Sequence, residues 1–107
     1  LKDLLLNSNS IEIIEHYAFY ETKMLTRIFL SNNKLKFFNL NLFSESFFIE
    51  LVDLYLENNN LENFDLWSLG SYKLILNNNN LNETNIIARN FKNAELLNLA
   101  LNKITNI

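Results

Sequence analysis

Few side chains in this sequence carry the groups that catalysis or metal binding needs, and none forms a recognisable motif. His16 is the single histidine and stands between Glu15 and Tyr17. A metal site would need two or three more ligands converging on it, so we interpret His16 as a solvated surface residue. Glu12, Glu15 and Glu21 have neither the spacing of an EF-hand nor the acidic-glycine repeats of calcium solenoids. A solvated edge is therefore favoured over a calcium site.

Composition excludes further kinds of chemistry. One glycine rules out a glycine-rich phosphate loop, no nucleophile elbow or HExxH motif occurs, and the absence of cysteine removes disulfides and cysteine-based metal sites. The nine Lys and Arg are scattered and the net charge is −3, so we expect no nucleic-acid or anionic-membrane partner. The window "FFNLNLFSESFFIELVDLYL" is interrupted by Glu45, Glu50 and Asp53, which argues against membrane insertion. We therefore expect that these residues form no enzyme active site and bind no cofactor or metal.

One candidate modification site is present. The tripeptide "NET" that begins at Asn82 matches the N-glycosylation sequon. In a chain so rich in asparagine, such a match also arises by chance. Glycosylation of Asn82 is therefore an expectation that depends on secretion.

The asparagines themselves are the most conspicuous feature. The stretch "LILNNNNLNET" holds four consecutive asparagines, whereas the whole chain has no proline and one glycine. Such a run alone is typical of a low-complexity tract. Turns nevertheless have to be made by some residue, and asparagine is the abundant candidate.

A repeated sequence template contains one asparagine at a fixed position. Leu-x-x-Leu-x-Leu-x-x-Asn-x-Leu recurs five times in "LKDLLLNSNSI", "LTRIFLSNNKL", "LVDLYLENNNL", "SYKLILNNNNL" and "AELLNLALNKI", which start at residues 1, 25, 51, 71 and 94. Only Ser71 and Ala94 depart from the first leucine. The spacings fall in the range of a leucine-rich repeat, and the chain resembles that family along its whole length. The resemblance implies an α/β repeat fold: a leucine-rich-repeat solenoid with a parallel β-sheet on its concave face and irregular or short helical convex segments.

The template asparagine is expected to satisfy the inner backbone. Its amide carries donors and an acceptor, so it can bond to backbone groups above and below and form a ladder along the stack. In the run of four, Asn79 holds this position and its neighbours are expected to face solvent. We expect every template asparagine to be buried, namely Asn9, Asn33, Asn59, Asn79 and Asn102.

The leucine spacing also predicts the strands and the core. Residues of a strand alternate between its two faces, so Leu4, Leu6 and Ile11 of the first repeat should point inward. We predict strands that pair in chain order near Asp3–Leu6, Arg27–Leu30, Asp53–Leu56, Lys73–Leu76 and Leu96–Leu99. An apolar position on the connecting segments is filled by Ile14, Phe38, Phe64 and Ile107, and is broken by Thr84.

Two columns of outward residues are candidates for binding. The third template position alternates in charge through Asp3, Arg27, Asp53 and Lys73 before Leu96, which we interpret as mutual neutralisation rather than a charged ligand site. The fifth position is mainly apolar, and Tyr72 would extend its stripe of Leu5, Phe29, Tyr55 and Ile75. An exposed apolar stripe is typical of a protein-binding surface. The alternative is that exposed strand positions favour such residues anyway.

The two ends of the sequence are relevant to how the repeats are organised into a domain. Leu1 is already a template leucine, and Ile107 ends the chain within the fifth repeat. Terminal repeats normally need a cap, and none is visible. We therefore expect residues 1–107 to be one leucine-rich-repeat domain, an uncapped slice of a longer array, with oligomerisation through the open ends as the alternative.

A narrower resemblance concerns two segments. "LENNNLENFDLWSLGSYKLILNNNNL" and "LLNLALNKITNI" are similar to the insect leucine-rich-repeat immune proteins of mosquitoes, the LRIM-like group. This implies a secreted protein that binds complement-like partners, often as a disulfide-linked dimer, although the dimer does not carry over to a chain without cysteine. The sequence thus predicts a non-enzymatic protein-recognition module of extracellular innate immunity. The alternative is a structural segment that stacks into an assembly or scaffolds an intracellular, cytoplasmic complex.

Overall fold

The strands come from the Leu-x-Leu core of each template copy and from two of the connecting segments. The computed structural model describes residues 3–15, 17–19, 25–39, 53–65, 72–82 and 94–104. These residues contain seven strands: β1 (Asp3–Leu5), β2 (Arg27–Phe29), β3 (Phe37–Asn39), β4 (Asp53–Tyr55), β5 (Asn63–Asp65), β6 (Tyr72–Ile75) and β7 (Ala94–Asn98).

Five of the strands form one parallel sheet in the order β1-β2-β4-β6-β7. The register aligns equal template positions, so that Asp3 pairs with Arg27, Arg27 with Asp53 and Asp53 with Lys73. The predicted parallel strands and their pairing in chain order are confirmed. Each strand ends one residue earlier than predicted. β6 begins one residue earlier, at Tyr72, and β7 begins two residues earlier, at Ala94, with an irregularity in its pairing next to Lys73.

The remaining two strands form a second parallel sheet. β3 pairs with β5, Phe38 lies opposite Phe64, and their rings stack with centroids 6.2 Å apart. Short helices were among the structures expected for these connecting segments, but the described residues contain strands here and no helix. Aromatic residues favour extended backbone, and the Lys36 carbonyl accepts a 2.9 Å hydrogen bond from the Glu62 amide at the start of this pairing.

The hydrophobic core joins the two sheets. Leu54 and Leu74 of the larger sheet belong to the same buried cluster as Phe38 and Phe64 of the smaller one. Burying one such side chain contributes about 1.5–3 kcal/mol. Burial is complete in the inner repeats, where the largest fully buried side chains are Ile28, Leu30, Leu35, Phe38, Leu54, Leu56, Leu61, Phe64, Leu74 and Leu76. The alternation of the strands therefore produces the buried face that the sequence predicted.

Some predicted positions cannot be compared with the structure. The first template residues Leu1, Leu51 and Ser71 lie outside the described part of the chain, as do Thr84 and Ile107 of the connecting segments. Ile14 is described and is partly buried against the core.

Candidate functional site

Asn59 shows what the template asparagine does. Its Nδ2 donates to the carbonyl of Leu56 in its own repeat and to that of Leu30 in the preceding repeat, both at 3.0 Å. Its Oδ1 accepts a 3.0 Å hydrogen bond from the amide of Leu35, also in the preceding repeat. These three leucines are fully buried, so one side chain satisfies backbone groups that water cannot reach.

The same pattern recurs in three other repeats. Nδ2 donates to the sixth-position carbonyls of its own and the preceding repeat, and Oδ1 accepts from the eleventh-position amide of the preceding repeat. The residues are Asn33 with Leu6, Leu30 and Ile11, Asn79 with Leu56, Leu76 and Leu61, and Asn102 with Leu76, Leu99 and Leu81. We call these side chains the asparagine ladder.

The ladder has a direction. Each side-chain amide bonds to its own repeat and to the preceding one. The prediction that it would bond to the repeats on both sides is therefore wrong. No repeat precedes Asn9 among the described residues, and within them its Nδ2 donates to the carbonyls of Leu6 and Asn7. The expectation that all five asparagines are buried is therefore wrong for exposed Asn9 and half-buried Asn102. Burial of this side chain requires a repeat on each side, and the inner three are buried: Asn33, Asn59 and Asn79.

A second row of asparagines lies at the preceding, eighth template position. Asn58 donates from Nδ2 to Oδ1 of Asn32 at 2.8 Å, and Asn78 donates in the same way to Asn58 at 2.8 Å. All three have a positive φ between 55° and 59°, a conformation that asparagine tolerates better than most residues. These three residues were expected to face solvent, and asparagine was the candidate for the turns. They make the turns after β2, β4 and β6 without proline or glycine, and Ser8 and Leu101 have a similar positive φ at the same template position in the first and fifth repeats.

The fifth-position column brings most of the predicted binding residues together. Leu5, Phe29, Tyr55 and Ile75 lie in register across β1, β2, β4 and β6. The rings of Phe29 and Tyr55 stack with centroids 4.7 Å apart and planes within 5°. Leu5 is 69% exposed and the other three are half-buried. Tyr72 begins β6, but its side chain lies outside the described part. We call these four residues the apolar column.

The charged column beside it is partly neutralised. Arg27 donates from Nε to Oδ1 of Asp3 at 3.0 Å and from Nη2 to Oδ2 at 2.8 Å. The hydrogen bond and the negative charge of Asp3 raise the pKa of the Arg27 guanidinium, and Asp53 adds a smaller effect. Oδ1 of Asp53 is buried and has no hydrogen-bond partner among the described residues.

One polar contact was missed by sequence reasoning. The buried hydroxyl of Ser31 donates a hydrogen bond to Oε1 of Glu57 in the next repeat. The amide of Ser31 donates to Oδ1 of Asn7 at 2.8 Å. Burial raises the pKa of the Glu57 carboxyl, and a backbone hydrogen bond within Glu57 partly offsets this. These residues share the seventh template position, but nothing in the template predicts a side-chain bond between residues so distant in sequence.

Within the described residues, the other chemical candidates do not form a site. Glu12 and Glu15 are exposed, whereas His16 and Glu21 lie outside the described residues. No group of three or more His, Cys, Asp or Glu that could hold a metal ion occurs in the part of the chain described. Within the same residues, no helix is long and apolar enough to cross a bilayer. Asn82 is described and is half-buried.

A shallow cavity lies beside the second sheet. It has a volume of about 310 Å³ and is lined by Glu12, Ile13, Lys34, Lys36, Phe37 and Asn60. Its lining offers one carboxylate, Glu12, and two amines, Lys34 and Lys36, and contains no pair of carboxylic acids.

The structure defines the chain as a parallel-sheet protein in which asparagine amides bond to the backbone of successive repeats. No protein-family model matches this chain, and neither a curated protein nor a solved structure is detectably similar to it.

Proposed function

We propose that the chain is a leucine-rich-repeat solenoid that acts as a non-enzymatic protein-binding module through the apolar column. The repeat assignment is supported by the position of the asparagine ladder. The template asparagine bonds to the same two backbone positions of the preceding repeat, the sixth-position carbonyl and the eleventh-position amide, in four successive copies. A coincidental match to a sequence template would not repeat the same hydrogen bonds.

The observation that carries the binding proposal is the stacked pair of Phe29 and Tyr55. Both rings lie on the face of the sheet away from the buried leucines, since they alternate with Ile28 and Leu54, which are fully buried. Together with Leu5 and Ile75 they form a contiguous apolar surface. Aromatic side chains of this kind commonly provide the largest share of binding energy at interfaces.

The charges beside the column indicate what kind of partner fits. The bidentate bond between Arg27 and Asp3 pairs opposite charges within the protein, and the sign continues to alternate through Asp53 and Lys73. The partner is therefore proposed to present apolar or aromatic side chains rather than a charged motif. Its binding should be nearly independent of salt concentration, because screening acts on charged pairs and not on apolar contacts.

The alternative role of the column is to stabilise the sheet itself. Stacked aromatic residues on neighbouring strands contribute about 0.5–1.5 kcal/mol beyond their burial, and cross-strand pairs stabilise sheets without any partner. The two roles differ in their effect on binding. Replacement of the rings would abolish binding in the first case and would only lower stability in the second.

A peptide-display selection separates these roles. Random peptides selected on the wild-type protein should lose binding to a Phe29→Ser, Tyr55→Ser double variant, whose melting temperature should fall by only a few degrees. The matched control is the double variant Phe37→Ser, Ile13→Ser, which removes two exposed apolar side chains beside the second sheet. Peptides that bind the Phe29 and Tyr55 variant as well as the wild type would refute the assignment of this face.

The proposed setting is extracellular innate immunity. It rests on the resemblance in repeat length and asparagine-rich strand ends between residues 56–81 and 96–107 and the mosquito immune proteins, and on the sequon at Asn82. The second candidate is a structural repeat that stacks into an assembly or scaffolds an intracellular complex. It would use the ends of the sheet rather than its face, and exposure of apolar residues at those ends favours it.

A further inference from the structure

The cavity beside the second sheet is built from three successive repeats and is separate from the apolar column. Glu12 and Ile13 come from the first repeat, three residues of the segment 34–37 from the second, and Asn60 from the third. None of these residues belongs to the five-stranded sheet. A ligand in this cavity would therefore leave the face of Phe29 and Tyr55 free.

Backbone hydrogen bonds hold the lining in place. The Lys34 amide donates to the Ile11 carbonyl at 2.8 Å, and the Asn60 amide donates to the Leu35 carbonyl at 2.9 Å. Each bond joins a lining segment to the preceding repeat, so the backbone around the cavity is fixed before any ligand arrives. A preformed site loses less free energy to ordering when it binds.

Positive charge dominates the polar part of the cavity. Lys34 and Lys36 are exposed and alternate with the fully buried Leu35, so both side chains leave the same side of the chain. Neither ammonium has an ion-pair or hydrogen-bond partner among the described residues. Two lysines against one glutamate give the lining a net charge of +1, whereas the whole chain has −3. The cavity therefore favours an anion.

The apolar part of the cavity consists of two side chains that the protein leaves uncovered. Ile13 is 79% exposed and Phe37 is 58% exposed. Phe37 alternates with the buried Phe38 in β3, so its ring lies on the outer face of the second sheet. An apolar surface next to unpaired ammonium groups suits a ligand that has an apolar body as well as a charge.

We propose that this cavity binds a small carboxylate with an aromatic or aliphatic body. The carboxylate accepts hydrogen bonds from the ammonium groups of Lys34 and Lys36, and the body packs against Ile13 and Phe37. One negative charge fits better than two, because the carboxylate of Glu12 repels additional charge. The volume of about 310 Å³ is at the lower end of the roughly 300–1,000 Å³ of small-molecule sites, which corresponds to a ligand with a single ring or a short chain.

An NMR titration with 3-phenylpropionate tests the site. The backbone amide signals of residues 34–37 and 60 should shift and saturate, whereas those of Phe29 and Tyr55 should not move. The neutral amide of the same acid and the ring-free acid propionate should each bind about fivefold more weakly. Binding of 3-phenylpropionate should also weaken between about 0.01 and 1 M salt, because the screening length falls from about 30 to 3 Å. Equal binding of the acid and its amide, shifts confined to Phe29 and Tyr55, or no saturable shift would overturn the proposal.

Substitutions test the role of each charge. Lys34→Gln and Lys36→Gln should each weaken binding about two- to fivefold, the range expected for one exposed ion pair. Glu12→Gln should strengthen binding by a similar factor, because it removes the repelling carboxylate, and a merely structural role of Glu12 would not produce this gain.

Lys103→Gln is the matched control. Lys103 has the same template position as Lys34, and its amide likewise donates to the preceding repeat, at 2.8 Å to the Leu81 carbonyl, but it lies outside the lining. This variant should bind 3-phenylpropionate as the wild type does, and circular dichroism checks that all variants are folded. If Lys34→Gln and Lys103→Gln weaken binding equally, only the net charge of the chain matters and the assignment of the cavity is wrong.

Discussion

Replacing Asn59 by leucine tests the asparagine ladder most sharply. Leucine has a similar volume, so the main change is the loss of the amide group. Three hydrogen bonds to fully buried backbone groups are lost, one from the Leu35 amide and one each to the carbonyls of Leu30 and Leu56, together with a longer bond of 3.4 Å to the Glu57 carbonyl. All three groups are buried, and water does not reach them in the folded protein.

The magnitude follows from what each group retains. The Leu35 amide loses its only partner among the described residues, which costs about 1–3 kcal/mol. The Leu30 and Leu56 carbonyls keep their bonds from Asn33 and Asn79, so each loses about 0.5–1 kcal/mol. The free energy of unfolding should therefore fall by about 2–5 kcal/mol. That is a large part of the roughly 5–15 kcal/mol typical of a domain.

Urea denaturation followed by circular dichroism measures this change. Asn60→Leu is the matched control, because Asn60 is the next residue and its side chain is exposed. We expect the control to change the free energy of unfolding by less than about 0.5 kcal/mol. If Asn59→Leu and Asn60→Leu destabilise the protein equally, the ladder does not contribute as we infer.

Three further predictions concern the turn at Leu101, the half-buried carboxyl of Glu57 and the sequon at Asn82. Leu101 has a φ of 55° and is 75% exposed, so Leu101→Asn should raise the free energy of unfolding by about 1 kcal/mol and add an amide bond to Asn78. Urea denaturation of Leu101→Ala, which keeps the Cβ, provides the comparison. An equal gain in the free energy of unfolding in both variants would contradict the idea that the gain comes from asparagine's tolerance of a positive φ. Burial raises the folded-state pKa of Glu57, so stability is lost as pH rises from the ordinary carboxyl pKa, about 4.3, through the raised value. Glu57→Gln should therefore melt at a higher temperature than the wild type at pH 7, and the difference should vanish below about pH 4; a pH-independent difference would be inconsistent with this cause. Expression in a eukaryotic secretory host should add a glycan mass that Asn82→Gln removes, and a secreted wild-type protein without that mass would contradict modification.

The parts of the fold that sequence reasoning predicted are those set by a repeated local pattern. The Leu-x-Leu alternation places Leu54 and Leu56 on the buried face of their strand, and the regular spacing brings equal template positions into register. The position of Asn59 follows from the same template. These features are determined by the sequence of a single repeat, provided that similar repeats lie on both sides of it.

The parts that sequence reasoning missed depend on which repeats are neighbours and on which side. Asn9 has the same template position as Asn59, but it is exposed because no described repeat precedes it. The pairing of β3 with β5 joins connecting segments that carry only one apolar template position. The bond between Ser31 and Glu57 depends on side-chain packing between repeats. None of these contacts can be read from one repeat alone.

The apolar column is an intermediate case. The alternation of the strands predicted that Phe29 and Tyr55 share a face, and the structure places their rings in contact. Their alignment across neighbouring strands is a consequence of register, which the repeats determine. Whether the face binds a partner depends on the partner's chemistry, which lies outside the sequence of this chain.

Native-state hydrogen exchange of the backbone amides of Leu35 and Leu61 tests the central claim most directly. These amides donate to Asn59 and Asn79 at 3.0 and 2.9 Å, and the claim is that these side chains replace water as their partners. We predict that both amides exchange only through global unfolding, and that the Leu35 amide alone becomes fast in Asn59→Leu under conditions where that variant is folded. Wild-type exchange of Leu35 and Leu61 at the rate of exposed loop amides would contradict the account.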